Sequence, residues 1–340
     1  MQMVKKIKVL VVDDSMLFRE VLSRGISSDP YIEVVAIAVD AFDARDKILE
    51  FQPDVMTCDV EMPKMNGIEF IRRLLPQYKL PVIVVSTVSE AVFDAINAGA
   101  VDFVTKPDVQ SAKSVESFIN DLIVKIKIAA VAKVSMPKSI SSINSVTSEA
   151  SDTDKIIAIG ASTGGTEAIY RLLSHLPKNT PGIVIVQHIP PIFSRMFAER
   201  LNNCTNLKVK EAQTGDFLEN GKVLIAPGDK HMTIRKVGSV YKVECFYGDK
   251  VNGHCPSVDV LFESVAKACG NKAIGIILTG MGYDGAKGLL SMRKCGARTL
   301  GQDEKSSVVY GMPKVAYNIG AVKKQVSLDN LPQKLFSMLR

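Results

Sequence analysis

The chain has no tryptophan, and phenylalanine and tyrosine together bring the aromatic share to only 6%. Its six cysteines are scattered, with no Cys-x-x-Cys pair, which removes a disulfide framework and a cysteine-built zinc site from consideration. No apolar run approaches the roughly 20 residues that a helix needs to cross a bilayer. Lys5, Lys6 and Lys8 lead straight into a short strand-like run rather than into the apolar centre of a leader peptide. The expectation is a cytoplasmic protein with reduced thiols and no direct membrane insertion. Charge of neither sign is concentrated: 42 basic and 36 acidic residues leave a net +6, with the lysines spread along the chain. That distribution does not favour a nucleic-acid partner.

What is present is length and pattern. The 340 residues, 46% hydrophobic and 23% charged, suffice for two domains, each with its own core. In residues 1–127, short apolar runs at Val9 to Val12, Val34 to Ala38, Val55 to Cys58, Val82 to Val85 and Val101 to Val104 alternate with stretches of helical periodicity. Val115, Phe118, Ile119, Leu122, Ile123 and Ile126 make the clearest helical stripe. Strands apolar on both faces and separated by helices imply a parallel sheet covered on both sides, whose ligand sites lie beyond the carboxyl ends of the strands.

Those ends are chemically loaded. Asp13 and Asp14 follow the first strand, Asp59 the third, Ser86 the fourth and Lys106 the fifth. Clustered carboxylates repel unless a cation neutralises them, and all-oxygen donors suit a hard divalent ion such as Mg2+. Lys106 then offers a positive charge, and Ser86 a hydroxyl, to an incoming phosphoryl group. The bland alternative is that these acids only cap helices.

The motifs Val11-Val12-Asp13-Asp14, Asp59, Met62-Pro63, Asn66-Gly67, Ser86 and Thr105-Lys106-Pro107 resemble those of response-regulator receiver domains. The resemblance implies that Asp59 is the phosphorylated residue and that Ser86 and Lys106 contact the phosphoryl group. It makes Asp14 and the carbonyl of Glu61 ligands of Mg2+ alongside Asp59, with Asp13 as the acidic neighbour completing the cation site. The stretch between Ser86 and Lys106 is slightly short for this family, which predicts a trimmed fourth helix. Residues 128–154 are rich in Ser, Thr, Lys and Ala and read as a flexible linker.

In residues 155–340, strand-like runs recur at Ile156 to Ile159, Ile183 to Val186, Val223 to Ala226 and Ile274 to Leu278, again implying a layered α/β fold. Gly160-Ala161-Ser162-Thr163-Gly164-Gly165 joins the first of them to a helical pattern, so Ser162 should stand on a strand-to-helix turn. It matches Gly-x-Ser-x-Gly, a short pattern that carries weight only with partners. Strands ending in Gln187-His188 and in Leu278-Thr279-Gly280-Met281-Gly282-Tyr283-Asp284 supply them. An imidazole takes the proton from a serine that is a poor nucleophile alone, and a carboxylate holds the imidazole's tautomer. Amides near Thr163 and Met281 could hold an oxyanion. Other readings are a satisfied histidine beside a proline turn, a helix cap at Asp284 and a phosphate cradle at Gly160 to Gly165. The last lacks the lysine of a P-loop and the glycine spacing of a dinucleotide site. The chain order Ser, His, Asp differs from the Ser, Asp, His of α/β-hydrolases.

These motifs, with Ala226-Pro227-Gly228, His254 and Pro256-Ser257-Val258-Asp259, resemble the catalytic domain of chemotaxis protein-glutamate methylesterases, which also deamidate glutamine. The resemblance implies Ser162 as nucleophile, His188 as base, Asp284 as orienting acid, oxyanion donors near Thr163 and Met281, and no cofactor in this domain. It implies chemoreceptors as substrates and a histidine kinase as phosphodonor to Asp59; from the domain order and the tether, the expectation is a receiver half that covers the catalytic mouth until phosphorylated. Together the readings give two doubly wound parallel-sheet domains joined by a linker. His254 and Cys255 read as loop residues near the site, since they lack metal-ligand partners at the right spacing. Arg195 and Arg200 lie on an amphipathic helix, facing either an acidic receptor or solvent. Two rival functions are an esterase or amidase for small molecules and a non-catalytic, phosphorylation-dependent adaptor.

Overall fold

Runs of valine and isoleucine become strands because branched side chains pack well on a pleated, buried surface. In the computed structural model, residues 5–87, 91–107, 111–134 and 154–339 are described, and the chain divides into two units, Met1–Lys138 and Ser139–Arg340. The first has strands β1 (Ile7–Val12), β2 (Ile32–Ala38), β3 (Val55–Asp59), β4 (Val82–Ser86) and β5 (Asp102–Thr105). Helices α1 (Met16–Ile26), α2 (Ala41–Phe51), α3 (Gly67–Leu74), α4 (Ala91–Asn97) and α5 (Ala112–Ala129) alternate with them. The sheet is parallel in the order β2-β1-β3-β4-β5. β3 and β4 are buried along their whole lengths, as helices on both faces require. From the neighbours β1 and β3 the chain departs toward opposite edges, which opens a crevice at their carboxyl ends.

The residues that cap these helices decide what the acids are for. Ser15 caps α1, Asp40 caps α2, Asn66 caps α3 and Ser111 caps α5. Asp13, Asp14 and Asp59 are therefore left for the crevice, and the capping alternative fails for them. α4 has seven residues; Val88, Ser89 and Glu90, just before it, lie outside the described residues. α5 runs on to Ala129, past the boundary drawn at 127, because Ile126 and Ala129 are fully buried. Of the expected linker, 135–153 lies outside the described residues.

The second unit has strands β6 (Ile156–Ala161), β7 (Ile183–Gln187), β8 (Lys208–Glu211), β9 (Lys222–Ile225), β10 (His231–Val237), β11 (Val240–Phe246), β12 (Ala273–Ile277), β13 (Arg298–Gln302) and β14 (Lys324–Val326). Its helices are α6 (Gly165–Leu173), α7 (Pro191–Cys204), α8 (Val258–Cys269), α9 (Ala286–Lys294), α10 (Met312–Asn318) and α11 (Leu331–Leu339). Seven strands form a parallel sheet in the order β14-β13-β12-β6-β7-β9-β8. Chain order reverses between β6 and β12, so this pair flanks the switch point. β10 and β11 form a separate antiparallel hairpin, whose Met232, Ile234, Tyr241 and Val243 join a core with Leu261, Phe262 and Val265 of α8.

Four strands anticipated in this unit are present, and β8, the hairpin, β13 and β14 add to them. β8 sits at the sheet edge and reads Lys-Val-Lys-Glu, a charged pattern suited to an edge. On α7, Phe193, Phe197 and Leu201 are buried while Arg195 is exposed and pairs with Glu199, the solvated-face alternative for that arginine.

Candidate active site and phosphoryl-acceptor site

In the first unit, Asp13 and Asp59 are buried and Asp14 is exposed at the end of β1. One oxygen from each of the three lies within 4.8 Å of the others. Lys106, following β5, places Nζ 2.8 Å from Asp13 Oδ2 and 2.7 Å from Asp59 Oδ2. The Phe18 ring lies 4.6 Å from the same ammonium, a cation–π contact. Burial pushes the Asp13 carboxyl up, and Lys106 only partly offsets it. Burial alone would lower Lys106, but its two carboxylate partners hold the ammonium above its ordinary value. The Glu61 amide donates to Asp59 Oδ1 at 3.2 Å, which fixes that peptide beside the crevice. Ser86 Oγ is buried without a hydrogen-bond partner among the described residues. A hard-oxygen donor set and an unused buried hydroxyl beside a lysine fit a divalent cation and a phosphoryl group.

In the second unit, Ser162 occupies the turn between β6 and α6. Its amide donates to Thr279 O at 3.0 Å, and its carbonyl accepts from Gly165 N at 2.7 Å. The turn is possible because Gly164 has φ +75°, where a Cβ would meet Val308 at 2.7 Å. A Cβ on Gly280 would come within 2.7 Å of Ser162 Cβ, so only glycine lets the β12 loop approach the serine this closely. Met281 follows at once and is exposed, and its amide makes no hydrogen bond among the described residues.

His188 follows β7, its amide donating to Ala161 O at 3.1 Å. The buried Gln187 side chain donates to Ser162 O at 2.9 Å and to His188 O at 3.0 Å, tying the two loops together. His188 Nε2 lies 2.9 Å from Asp284 Oδ2. Asp284 also receives Val258 N at 2.7 Å, Ser257 Oγ at 2.8 Å, Asn252 Nδ2 at 2.8 Å and Asp259 N at 3.3 Å. It thus sits at the N-terminus of α8, where backbone amides and the helix dipole favour a negative charge. Burial alone would raise its pKa, yet the bonds from His188, Asn252 and Ser257 hold it well below the carboxylate range. The helix-cap alternative is half right: Asp284 helps to cap α8, a helix distant in sequence, while α9, which follows it, has Gly285 at its N-cap and no side-chain cap.

Because an ionised carboxylate only accepts, His188 Nε2 carries the proton and Nδ1 presents a lone pair. Nδ1 is buried and has no partner among the described residues, Ser162 included. The structure thus joins His188 to Asp284 directly and to Ser162 through Gln187; contacts of this kind tighten as substrate binds.

The His254 ring stacks on His188 with centroids 3.7 Å apart and planes at 7°. Ligand atoms of His188, His254 and Asp284 lie within 4.8 Å of one another, but a metal centre does not follow. Parallel rings aim their in-plane lone pairs side by side rather than at one point. Sequence reasoning placed His254 near the site without a role and passed over Asn252 and Ser257 as partners of Asp284. Ser257 lay within the Pro256-Ser257-Val258-Asp259 motif, whereas Asn252 carried no sequence signal.

The CheB methylesterase family pattern matches residues 157–335, and that of the response regulator receiver domain matches residues 9–115. The protein-glutamate methylesterase/protein-glutamine glutaminase 2 of Syntrophomonas wolfei subsp. wolfei is 58% identical over 335 residues, covering 98% of each chain. The chain belongs to the CheB methylesterase family. Another member, the protein-glutamate methylesterase/protein-glutamine glutaminase of Salmonella typhi, is 44% identical over 339 residues, with 98% of this chain and 97% of that one covered. The crystal structure of the Thermotoga maritima CheB methylesterase catalytic domain is similar at 37% identity and a TM-score of 0.53. It spans 54% of this chain and 98% of its own. In this chain the receiver pattern precedes the methylesterase pattern. No helix of the described residues is long and apolar enough to cross a membrane.

Proposed function

We propose that this cytoplasmic CheB methylesterase removes methyl groups from glutamate γ-methyl esters, and ammonia from glutamine side chains, on chemoreceptors under control of its receiver domain. Ser162 Oγ attacks the ester carbonyl as His188 Nδ1 takes its proton. The carbonyl oxygen gains negative charge where the Thr163 and Met281 amides can donate to it. The proton passes to the departing methoxide, methanol leaves, and water, deprotonated by the same imidazole, releases glutamate and restores Ser162. Asp284 keeps Nε2–H engaged throughout and stabilises the imidazolium.

The observation that carries this reading is the His188–Asp284 bond of 2.9 Å with an Nδ1, on the other side of the ring, that has no partner among the described residues. A non-catalytic adaptor has no use for a buried, uncommitted imidazole lone pair. Methanol release from methylated receptor membranes tests it. Wild-type protein is expected to release methanol and folded Ser162→Ala is not; equal release by both would exclude the serine mechanism.

In the receiver, Asp59 accepts a phosphoryl group from a histidine kinase. Asp13, Asp14, Asp59 and the Glu61 carbonyl are the groups that would hold Mg2+, which supplies charge neutralisation at the transferring phosphoryl. Lys106 balances the added negative charge, and Ser86 donates its unused hydroxyl.

A further inference from the structure

A single hydrogen bond fixes one atom of a ring but leaves the ring free to swing about that atom. Among the described residues, the His188 ring has only its Nε2 contact to Asp284 as a polar anchor, yet Nδ1 must stay aimed at the serine. We propose that His254 is a positioning residue whose ring face clamps the ring plane of His188, with its bond to Asn252 a secondary seat for that ring. The inference rests on the hydrolase reading above and extends it to residues outside the triad.

The clamp is built from three contacts. First, the His254 ring covers His188 face to face at 3.7 Å and 7°, so rotation of either ring out of plane collides with the other. Second, His254 is itself pinned. Its Nδ1 lies 2.9 Å from Asn252 O, and because a carbonyl only accepts, Nδ1 carries the proton and donates. Third, the two protons of the Asn252 side-chain nitrogen go to two buried carboxylates, Asp284 Oδ1 at 2.8 Å and Asp259 Oδ2 at 2.8 Å. Asp259 is fixed in turn by Gly288 N at 2.7 Å. Asn252 has φ +54°, a left-handed conformation that asparagine tolerates better than most residues.

The charge state of His254 suits the task. Burial, with His188 next to it, holds its pKa down at about 4, so it stays neutral at physiological pH. When His188 accepts the Ser162 proton, the new imidazolium meets the face of an uncharged ring rather than a second cation. His254 exchanges no proton and touches no substrate in this account.

The test reads ring order and turnover separately, on the full chain. With only four histidines, ring-15N labelling allows the His188 Nε2–H resonance to be assigned by its loss in His188→Gln. Wild type is expected to show this proton at low field as a sharp signal, and His254→Ala to broaden it beyond detection. The same variant should lower kcat for methanol release about 10- to 100-fold with KM within about 2-fold, the scale of a catalytic group held in the wrong place. His254→Phe keeps the ring face and loses the bond to Asn252; it should keep the signal and recover most of kcat. Should His254→Ala not fold, His254→Asn, whose side-chain nitrogen stands where Nδ1 was and so keeps a donor for Asn252 O while losing the ring face, carries the same expectation. A sharp signal with wild-type kcat in the variant lacking the ring, or a His254→Phe as impaired as His254→Ala, would overturn the clamp. Failure of the hydrolase reading looks different: Ser162→Ala would keep its activity while the resonance, which needs no substrate, still responded to His254.

Discussion

Asp59 and Asp284 are both buried aspartates at switch points of parallel sheets, and they are neutralised in opposite ways. Asp59 shares one lysine side chain with Asp13. Asp284 is held by two backbone amides at the start of α8, a hydroxyl, a carboxamide and an imidazole. A lysine is a point charge on a flexible stem, able to move when a cation or phosphoryl group arrives. Backbone amides at a helix terminus cannot leave without unfolding the helix. The first arrangement suits a switch, with charge balance open to change; the second suits a triad, whose acid must stay ionised and fixed.

The largest effect should come from breaking the fixed site. Asp284→Asn keeps the shape but presents a donor where His188 Nε2–H needs an acceptor, so kcat for methanol release should fall by about 10³- to 10⁴-fold. On the switch side, Lys106→Met leaves Asp13 and Asp59 buried without their cation, a loss of about 3–5 kcal/mol from the first domain without Mg2+. Added Mg2+ should then raise that domain's unfolding midpoint more in the variant than in wild type, because a site stripped of its competing ammonium binds the ion better. Equal Mg2+ shifts would mean that Lys106 and the ion do not share the crevice.

A subtler comparison concerns a carboxyl whose protonation burial controls. Burial lifts Glu167, in the first turn of α6, to about 7, and Arg171 and Arg200 offset only part of this. A raised carboxyl pKa favours the protonated native state, so its contribution is complete below the unfolded pKa of about 4.3 and is lost as pH rises through about 7. Glu167→Gln should therefore stabilise the second domain by about 2 kcal/mol at pH 8 and hardly at all at pH 4. The urea midpoint of the transition that abolishes hydrolysis measures this. The smallest effect is expected at Asn66, whose Oδ1 accepts from Glu69 N at 2.8 Å. Asn66→Ala should cost the first domain about 1 kcal/mol, with no change in methanol release by unphosphorylated protein.

The two sites also differ in how much of them the sequence disclosed. Every first-domain strand was visible as an apolar run, and Asp13, Asp59 and Lys106 meet because they end such runs in a parallel sheet. Ser162, His188 and Asp284 follow strand ends for the same reason, and of these His188 and Asp284 meet directly. What surrounds Asp284 was not legible: Asn252 and Ser257 reach it across 32 and 27 residues of sequence, from a loop with neither periodicity nor a strand end to mark it. The face-on stack of His254 is likewise a relation between two loops that no local pattern encodes. Short or charged strands such as β8 and β14 escaped because pairing with a buried neighbour, not their own hydrophobicity, makes them strands.

The central claim is that a phosphoryl group on Asp59 governs hydrolysis at Ser162. The most direct measurement is methanol release from methylated receptor membranes, with and without Mg2+ and a small-molecule phosphodonor, by wild type and Asp59→Asn. The account predicts that phosphodonor with Mg2+ raises the rate of wild type and leaves that of Asp59→Asn where it was. An equal rise in both proteins, or no rise in wild type shown to carry the phosphoryl group, would contradict it.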